Sequence, residues 1–150
     1  MTAKEIMTKD VFVIAADDKA QHAVEIMAHN DISGLPVVDD EDKLVGIVTE
    51  RDLLLMEQEG PPAYKTALYG LWITPQHLVE QDARRRGLFV SDVMTKKVIT
   101  FGPDDKAAEI AATMREKGIN RVPILDGDAI VGIVSRHDIM KALAEGKSLE

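Results

Sequence analysis

The 150-residue sequence contains no cysteine, which excludes disulfides, thiolate metal sites and cysteine nucleophiles. It also lacks a long hydrophobic run. No apolar stretch approaches the roughly 20 residues of a membrane span, and the N-terminus has no apolar signal-peptide core. We therefore expect a soluble, cytoplasmic chain with no membrane partner. The length accommodates one compact domain, or two small units sharing a core, but no large independent catalytic domain.

Basic residues are in the minority, with 18 Lys and Arg against 26 Asp and Glu and a formal net charge of -8. Such a surface repels polyanions on average, so we expect no nucleic-acid partner, and any anionic ligand must meet a local basic patch. The cluster Arg84-Arg85-Arg86 would be the candidate for contacting DNA or RNA. Three basic residues on a helix, however, more often form a solvated face.

An internal repeat organises most of the chain. The segment Ile6–Val11 (IMTKDV) is similar to Val93–Val98 (VMTKKV), and the same offset persists as far as a shared apolar-Pro-apolar strand. After that strand the second copy is one residue shorter, and Gly46–Leu53 (GIVTERDL) then matches Gly132–Ile139 (GIVSRHDI). A hairpin turn explains the change, because turn lengths vary easily. Such ordered self-similarity indicates a duplicated structural unit.

Each copy has the pattern of a small unit of strands and helices. Asp17 and Asp104 are placed to cap a first helix, and Gly118 suits a left-handed helix end. A second helix is expected to begin after Thr49 and after Ser135, which are acceptable capping residues. Short β-branched and apolar runs predict strands at residues 11–14, 35–38, 44–48, 98–101, 122–125 and 129–134. The predicted fold class is mixed α/β (α+β), with a β-α-β-β-α unit repeated.

The stretch between the copies has no counterpart in either of them. We divide the chain into a first repeat (1–55), a connector with a helix at 76–86 (56–90) and a second repeat (91–146). The connector contains Tyr64, Tyr69 and Trp72. These aromatic side chains are expected to pack the connector against the two halves or a second chain, and the alternative is a docking surface for another protein.

Three features occur in the same order in each copy: a leading Met-Thr, an apolar-Pro-apolar strand (Leu35-Pro36-Val37 and Val122-Pro123-Ile124), and a Gly-apolar-apolar-Thr/Ser-x-x-Asp ending. As an ordered set they closely resemble the CBS domain, over nearly the whole chain outside the connector. The resemblance implies two repeats packed about a pseudo-twofold axis, with clefts between them that bind AMP, ADP, ATP or S-adenosylmethionine. It also implies a regulatory homodimer that requires no cofactor.

The Thr/Ser-x-x-Asp endings are the central candidate binding residues. In the resemblance the Asp carboxylate accepts hydrogen bonds from ribose hydroxyls and the Thr or Ser adds a polar contact, which points to Thr49 with Asp52 and Ser135 with Asp138. The spacing is also physically sensible, because both groups would converge beside the N–H groups of a helix N-terminus, which favour anions. The structural alternative is a capping box, in which the two side chains satisfy the start of the helix.

Arginines are the candidate phosphate contacts, because guanidinium groups suit phosphate oxygens. Arg51 and Arg121 are the two that we expect in this role. His137 stands where the first copy has Arg51, and it would either give a pH-sensitive contact or be an exposed histidine. Gly34 takes the place of Arg121 in the first copy, so the two clefts are expected to bind phosphate unequally.

The resemblance further implies that each cleft is built from both repeats, with one copy's ending facing the other copy's apolar-Pro segment. The first cleft would contain Thr49, Arg51, Asp52, Ile119, Asn120 and Arg121. The second cleft would contain Ser135, His137, Asp138, Ile32, Ser33 and Gly34. The remaining predicted ligand-binding residues are Thr100, Pro36 and Pro123. Because both arginines fall in the first cleft, phosphate is expected to prefer it.

We favour a regulatory module that binds an adenosine-containing nucleotide. The alternative is a ligand-free module that recruits an effector protein through the connector. An enzyme is not expected, because the Thr/Ser-Asp pair has no neighbouring base, metal cluster or activated nucleophile, and no metal-ligand spacing is visible. Homodimer contacts are expected on the first helix of each repeat and on the helix after each motif, including Leu53, Leu54, Ile139 and Leu143.

Overall fold

The computed structural model of the chain describes residues 1–58 and 88–150. Within these ranges the elements are α1 (Ala3–Ile6), β1 (Ile14–Ala15), α2 (Ala20–Asn30), β2 (Gly34–Val38), β3 (Leu44–Thr49), α3 (Glu50–Gln58), α4 (Val90–Val93), α5 (Ala107–Lys117), β4 (Arg121–Asp126), β5 (Ala129–Ser135) and α6 (Arg136–Ala144). This mixture of helices and small sheets confirms the predicted α/β fold class. None of the described helices is long and apolar enough to cross a membrane. The predicted connector helix, its aromatic residues and the three-arginine cluster lie outside the described ranges.

The chain divides into two compact units that do not follow the sequence repeats. Unit 1 comprises Met1–Val13, Asp40–Leu44 and Lys97–Glu150, and unit 2 comprises Ile14–Asp39 and the described part of Val45–Lys96. Residues 1–13, the leading segment of the first repeat, therefore belong to the unit that holds most of the second repeat. Conversely, residues 88–96, the segment that leads into the second repeat, belong to the unit that holds most of the first repeat. The leading segments are thus exchanged between the repeats.

Unit 2 contains a three-stranded sheet in the order β1-β2-β3. β1 runs parallel to β2, with Ile14 opposite Val37. Helix α2 ends at Asn30, because Asp31 adopts a left-handed φ of 52° and its N–H bonds the carbonyl of Met27. The buried core consists of Ile14, Ala20, Ala23, Met27, Leu35, Val37, Val48, Leu53 and Val90. Burial of a side chain such as Leu35 contributes about 1.5–3 kcal/mol.

Unit 1 is built on the antiparallel hairpin β4-β5, which has a register shift between Ile124 and Leu125. Gly127 forms the turn with a φ of 62°. Helix α5 ends at Gly118, whose φ of 65° confirms the predicted left-handed end. Helix α1 packs against α5, α6 and β5. The buried core consists of Ala3, Ile110, Met114, Val122, Ile124, Val134 and Ile139.

The predicted aspartate caps of α2 and α5 were wrong. The residues at the cap positions are Lys19 and Lys106, and neither makes a side-chain cap hydrogen bond. The exchanged leading segments supply the missing acceptors as backbone carbonyls: the N–H of Ala20 bonds Leu88 O at 2.8 Å, and the N–H of Ala107 bonds Met1 O at 2.9 Å. Tertiary contacts thus replace the local caps that the sequence suggested.

The first strand of each copy is shorter than predicted. In the 11–14 segment only Ile14 belongs to β1, and Phe12 and Val13 are exposed. In the 98–101 segment the pairing is a single parallel bridge between Phe101 and Ile124. The apolar pattern predicted where each strand lies but not how many of its residues pair with a neighbouring strand.

Two of the four residues predicted to form dimer contacts lie on the buried faces of their helices. Leu53 and Ile139 lie in the cores of their own units, with 7% and 6% of their surfaces exposed. Leu54 and Leu143 are exposed, at 60% and 47%. Leu55 and Met140 share this exposure at 46% and 58%, so the apolar surface of α3 and α6 differs from the predicted set.

Candidate functional site

In unit 2, Thr49 and Asp52 form a closed hydrogen-bond ring at the junction of β3 and α3. Asp52 Oδ2 accepts hydrogen bonds from Thr49 N at 2.9 Å and from Thr49 Oγ1 at 3.1 Å. Asp52 N donates in return to Thr49 Oγ1 at 3.3 Å. This is the capping-box geometry that was the structural alternative for the motif. It fixes the carboxylate at the helix N-terminus, with Oδ1 turned away from the ring.

The same arrangement occurs in unit 1 between Ser135 and Asp138. Asp138 Oδ2 accepts from Ser135 N at 2.8 Å and from Ser135 Oγ at 3.0 Å, and Asp138 N donates to Ser135 Oγ at 3.2 Å. Both pairs are partly buried. The duplication in sequence is therefore a duplication of side-chain geometry, with each aspartate held in one orientation.

The second carboxylate oxygen contacts a threonine that is distant in sequence. Thr95 Oγ1 donates to Asp52 Oδ1 at 3.2 Å, and Thr8 Oγ1 donates to Asp138 Oδ1 at 3.3 Å. Each threonine belongs to the Met-Thr that leads the opposite repeat. The sequence pattern identified this Met-Thr as a repeat landmark but not as a neighbour of the aspartates. The available signal was that the Met-Thr recurs in both copies although no local motif requires it.

Backbone pairing and a glycine hold each leading segment in place. In unit 2, Thr95 N bonds Ile47 O at 2.8 Å and Ile47 N bonds Thr95 O at 2.9 Å. A Cβ on Gly46 would lie 2.6 Å from Met94 Sδ, so the glycine makes room for the methionine. The motif glycine is therefore required by close approach of the exchanged segment.

The start of the apolar-Pro strand, β2 in unit 2 and β4 in unit 1, lies beside the Thr/Ser-x-x-Asp motif of the same unit. In unit 2, Glu50 N bonds Ser33 O at 3.0 Å. In unit 1, Arg136 N bonds Asn120 O at 2.7 Å, and Arg121 lies opposite Ser135 in the β4-β5 register. The structure thus brings each copy's own strand start to its own motif. The resemblance implies clefts that each combine residues of both repeats, and these clefts stay a prediction.

The other predicted ligand-binding residues differ in accessibility. Arg51 and His137 are exposed in the first turns of α3 and α6, and Gly34 and Thr100 are half-buried. Ile32 and Ile119 are half-buried and pack against the cores of units 2 and 1. Pro36 and Pro123 are fully buried, so the structure places them in the core. In residues 1–58 and 88–150, no group of three or more His, Asp or Glu is arranged to hold a metal ion.

Comparison with known proteins agrees with this geometry. The family model for the CBS domain matches residues 3–58 and 90–145. The chain therefore belongs to the CBS domain family and carries two CBS domains. The two matched stretches each contain one strand-helix junction with its paired hydroxyl and carboxylate.

Two solved structures illustrate the similarity. The CBS domain of a CBS domain containing membrane protein from Sphaerobacter thermophilus is 33% identical, with a TM-score of 0.74, and the match covers 94% of this chain and 86% of that one. The CBS domain pair of protein MJ0100, in complex with 5′-methylthioadenosine and S-adenosyl-L-methionine, is 26% identical with a TM-score of 0.72. That match covers 98% of both chains.

Several curated relatives are much longer than this chain. Inosine-5′-monophosphate dehydrogenase of Methanocaldococcus jannaschii is 34% identical over 140 residues, which is 93% of this chain but only 23% of the dehydrogenase. The uncharacterized protein MJ1426 of the same organism is 30% identical over 154 residues, 95% of this chain and 91% of that protein. The similarity thus extends from a protein of about the same length to a segment of a larger one.

Proposed function

We propose that the chain is a regulatory module that binds an adenosine-containing nucleotide at Asp52 and Asp138. The observation that carries the proposal is the orientation of each carboxylate by its capping ring, which directs Oδ1 away from the helix start. Carboxylate oxygens accept hydrogen bonds from hydroxyls, and a ribose presents two adjacent ones. The adenosyl ligands of the MJ0100 domain pair support this ligand class.

The geometry within each unit makes the two proposed sites unequal in charge. Arg121 lies opposite Ser135 in the hairpin, and Arg136 and His137 follow it in the first turn of α6. The corresponding positions of unit 2 hold Gly34, Glu50 and Arg51. We therefore infer that a phosphate group is bound more tightly at the Asp138 site. This reverses the preference that the crossed assignment implies.

Substitution of Arg121 distinguishes these two assignments. If Arg121 serves the site in its own unit, Arg121→Ala weakens the binding event that Asp138→Ala abolishes. If the crossed assignment holds, Arg121→Ala weakens the event that Asp52→Ala abolishes. The loss is expected to be roughly tenfold or larger, because a hydrogen bond to a charged group contributes about 1.5–3 kcal/mol.

A thermal unfolding assay tests the proposed function directly. A ligand that binds only the folded state raises the melting temperature, by an amount that grows with the logarithm of its concentration once that concentration exceeds Kd. We expect AMP, ATP or S-adenosylmethionine to raise it, and GMP at the same concentration to have a smaller effect. No shift with any adenosine-containing compound would contradict the proposal.

We propose that the role is regulatory, with the nucleotide binding two conformational states of the protein with unequal affinity and so shifting the equilibrium between them. We propose that a second copy of the chain covers the exposed apolar side chains of α3 and α6, namely Leu54, Leu55, Met140 and Leu143. The alternative function, recruitment of a partner through the connector, rests on residues outside the described ranges.

A further inference from the structure

The carboxylate of Asp52 has little hydrogen-bonding capacity left for a ligand. Oδ2 already accepts two hydrogen bonds from Thr49, and Oδ1 accepts one from Thr95. An ionised carboxylate has about four acceptor positions, two on each oxygen. One position therefore remains, on Oδ1. Asp138 is in the same condition, with Ser135 on Oδ2 and Thr8 on Oδ1.

We propose that Thr95 and Thr8 set the nucleotide affinity of the two sites by competing with the ribose diol for this oxygen. The inference rests on the proposed function and adds a regulating residue to each site. A ribose that donates both adjacent hydroxyls to Oδ1 has to displace the threonine hydroxyl. A deoxyribose that donates one hydroxyl fits the remaining acceptor position and displaces nothing.

The displacement needs only a side-chain rotation. The backbone of Thr95 is held by its two hydrogen bonds to Ile47, and these do not involve the hydroxyl. The side chain is exposed, so a released hydroxyl is solvated by water. Rotation between staggered χ1 positions therefore frees Oδ1 while the exchanged segment stays in place. Thr8, which is paired with Ile133 in the same way, has the same freedom.

The two sites can be examined separately by removing one aspartate at a time. In an Asp138→Ala background, Thr95→Val removes the competing hydroxyl at the Asp52 site and preserves the side-chain shape. AMP, or S-adenosylmethionine if that ligand binds, is expected to bind roughly tenfold to hundredfold more tightly, the range set by one hydrogen bond to a charged group. Thr95→Ser keeps the hydroxyl and should restore the weaker binding. Thr8→Val in an Asp52→Ala background is the reciprocal test.

The ligand itself provides the decisive comparison. Thr95→Val should tighten binding of the ribonucleotide and leave that of 2′-deoxy-AMP unchanged, because the deoxy ligand does not need the threonine's position. Calorimetric titration measures both, and circular dichroism verifies that each variant is folded. Weaker AMP binding by Thr95→Val, or equal gains for both ligands, would overturn the inference while leaving the proposed function intact. Failure of every adenosine-containing ligand to bind any folded variant would overturn both.

Discussion

Met7 lies directly against Gly132, so that a Cβ built on the glycine would be 2.8 Å from Met7 Cγ. The same Cβ would be 3.0 Å from the backbone oxygen of Thr8. Met94 and Gly46 repeat the relationship in unit 2, with Thr95 O again at 3.0 Å. The motif glycine of each repeat thus leaves room for the Met-Thr that leads the opposite repeat.

Gly132→Ala and Gly46→Ala are expected to lower the free energy of unfolding by about 1–3 kcal/mol, the usual cost of overpacking. The methionine is flexible and can move, but the neighbouring backbone carbonyl cannot move without loosening the paired segment. Urea unfolding measures the change. Gly102→Ala is the control, since its Cβ would meet its nearest neighbour at 3.6 Å and should be nearly neutral. Equal stability of Gly132→Ala and Gly102→Ala would show that the segment is not held as described.

Ser135→Ala is expected to destabilise the protein by about 1 kcal/mol, because it removes the side-chain cap of α6 and one donor to Asp138. The measurement is the shift of the urea unfolding midpoint. Ser148→Ala is a suitable comparison, since Ser148 makes only an exposed local contact with Glu150 N. A cost for Ser135→Ala no larger than that of Ser148→Ala would argue against the capping ring.

The anchoring of α1 should depend on pH through Glu5. Thr2 N donates to Glu5 Oε2 at 2.6 Å, and this backbone hydrogen bond lowers the pKa of the exposed Glu5 carboxyl. Because the folded pKa is the lower one, the contribution is present at neutral pH and is lost as the pH falls through the acidic range. The difference in melting temperature between the wild type and Glu5→Gln should therefore shrink on acidification. A difference that does not vary with pH would contradict this assignment.

Leu143→Glu is expected to dissociate the proposed homodimer without unfolding the chain, because the side chain is exposed within its own unit. Light scattering at micromolar concentration would then report a monomer where the wild type gives a dimer. Ile139→Ala on the same helix is buried, and it should instead cost roughly 2–5 kcal/mol of stability. A monomeric wild type, or an unchanged mass for Leu143→Glu, would refute the interface.

Much of the fold was predictable because the same sequence pattern occurs in both repeats. The matching Gly-apolar-apolar-Thr/Ser-x-x-Asp endings located β3 with α3 and β5 with α6, where local hydrogen bonds between Thr49 and Asp52 or Ser135 and Asp138 define the junction. The helix caps were not predictable in this way. Ala20 and Ala107 are capped by carbonyls of chain segments far away in sequence, and local patterns carry no information on those.

The candidate site was predictable to the same extent and for the same reason. Asp52 and Asp138 follow from a local motif whose spacing has a physical purpose. Thr8 and Thr95 were recognised only as landmarks, since nothing local indicates that the leading segments are exchanged. Leu53 and Ile139 were wrongly predicted to be dimer contacts because apolar residues occur on both faces of these short helices. Only the packing shows which face is buried.

The central claim is that two aspartates, held in equivalent capping rings, bind an adenosine-containing nucleotide. Calorimetric titration of AMP and of S-adenosylmethionine into the wild type, Asp52→Ala, Asp138→Ala and the double variant tests it most directly. Each single variant should lose one binding event and retain the other, and the folded double variant should bind neither ligand. Binding by the folded double variant with the affinity and stoichiometry of the wild type would contradict the claim.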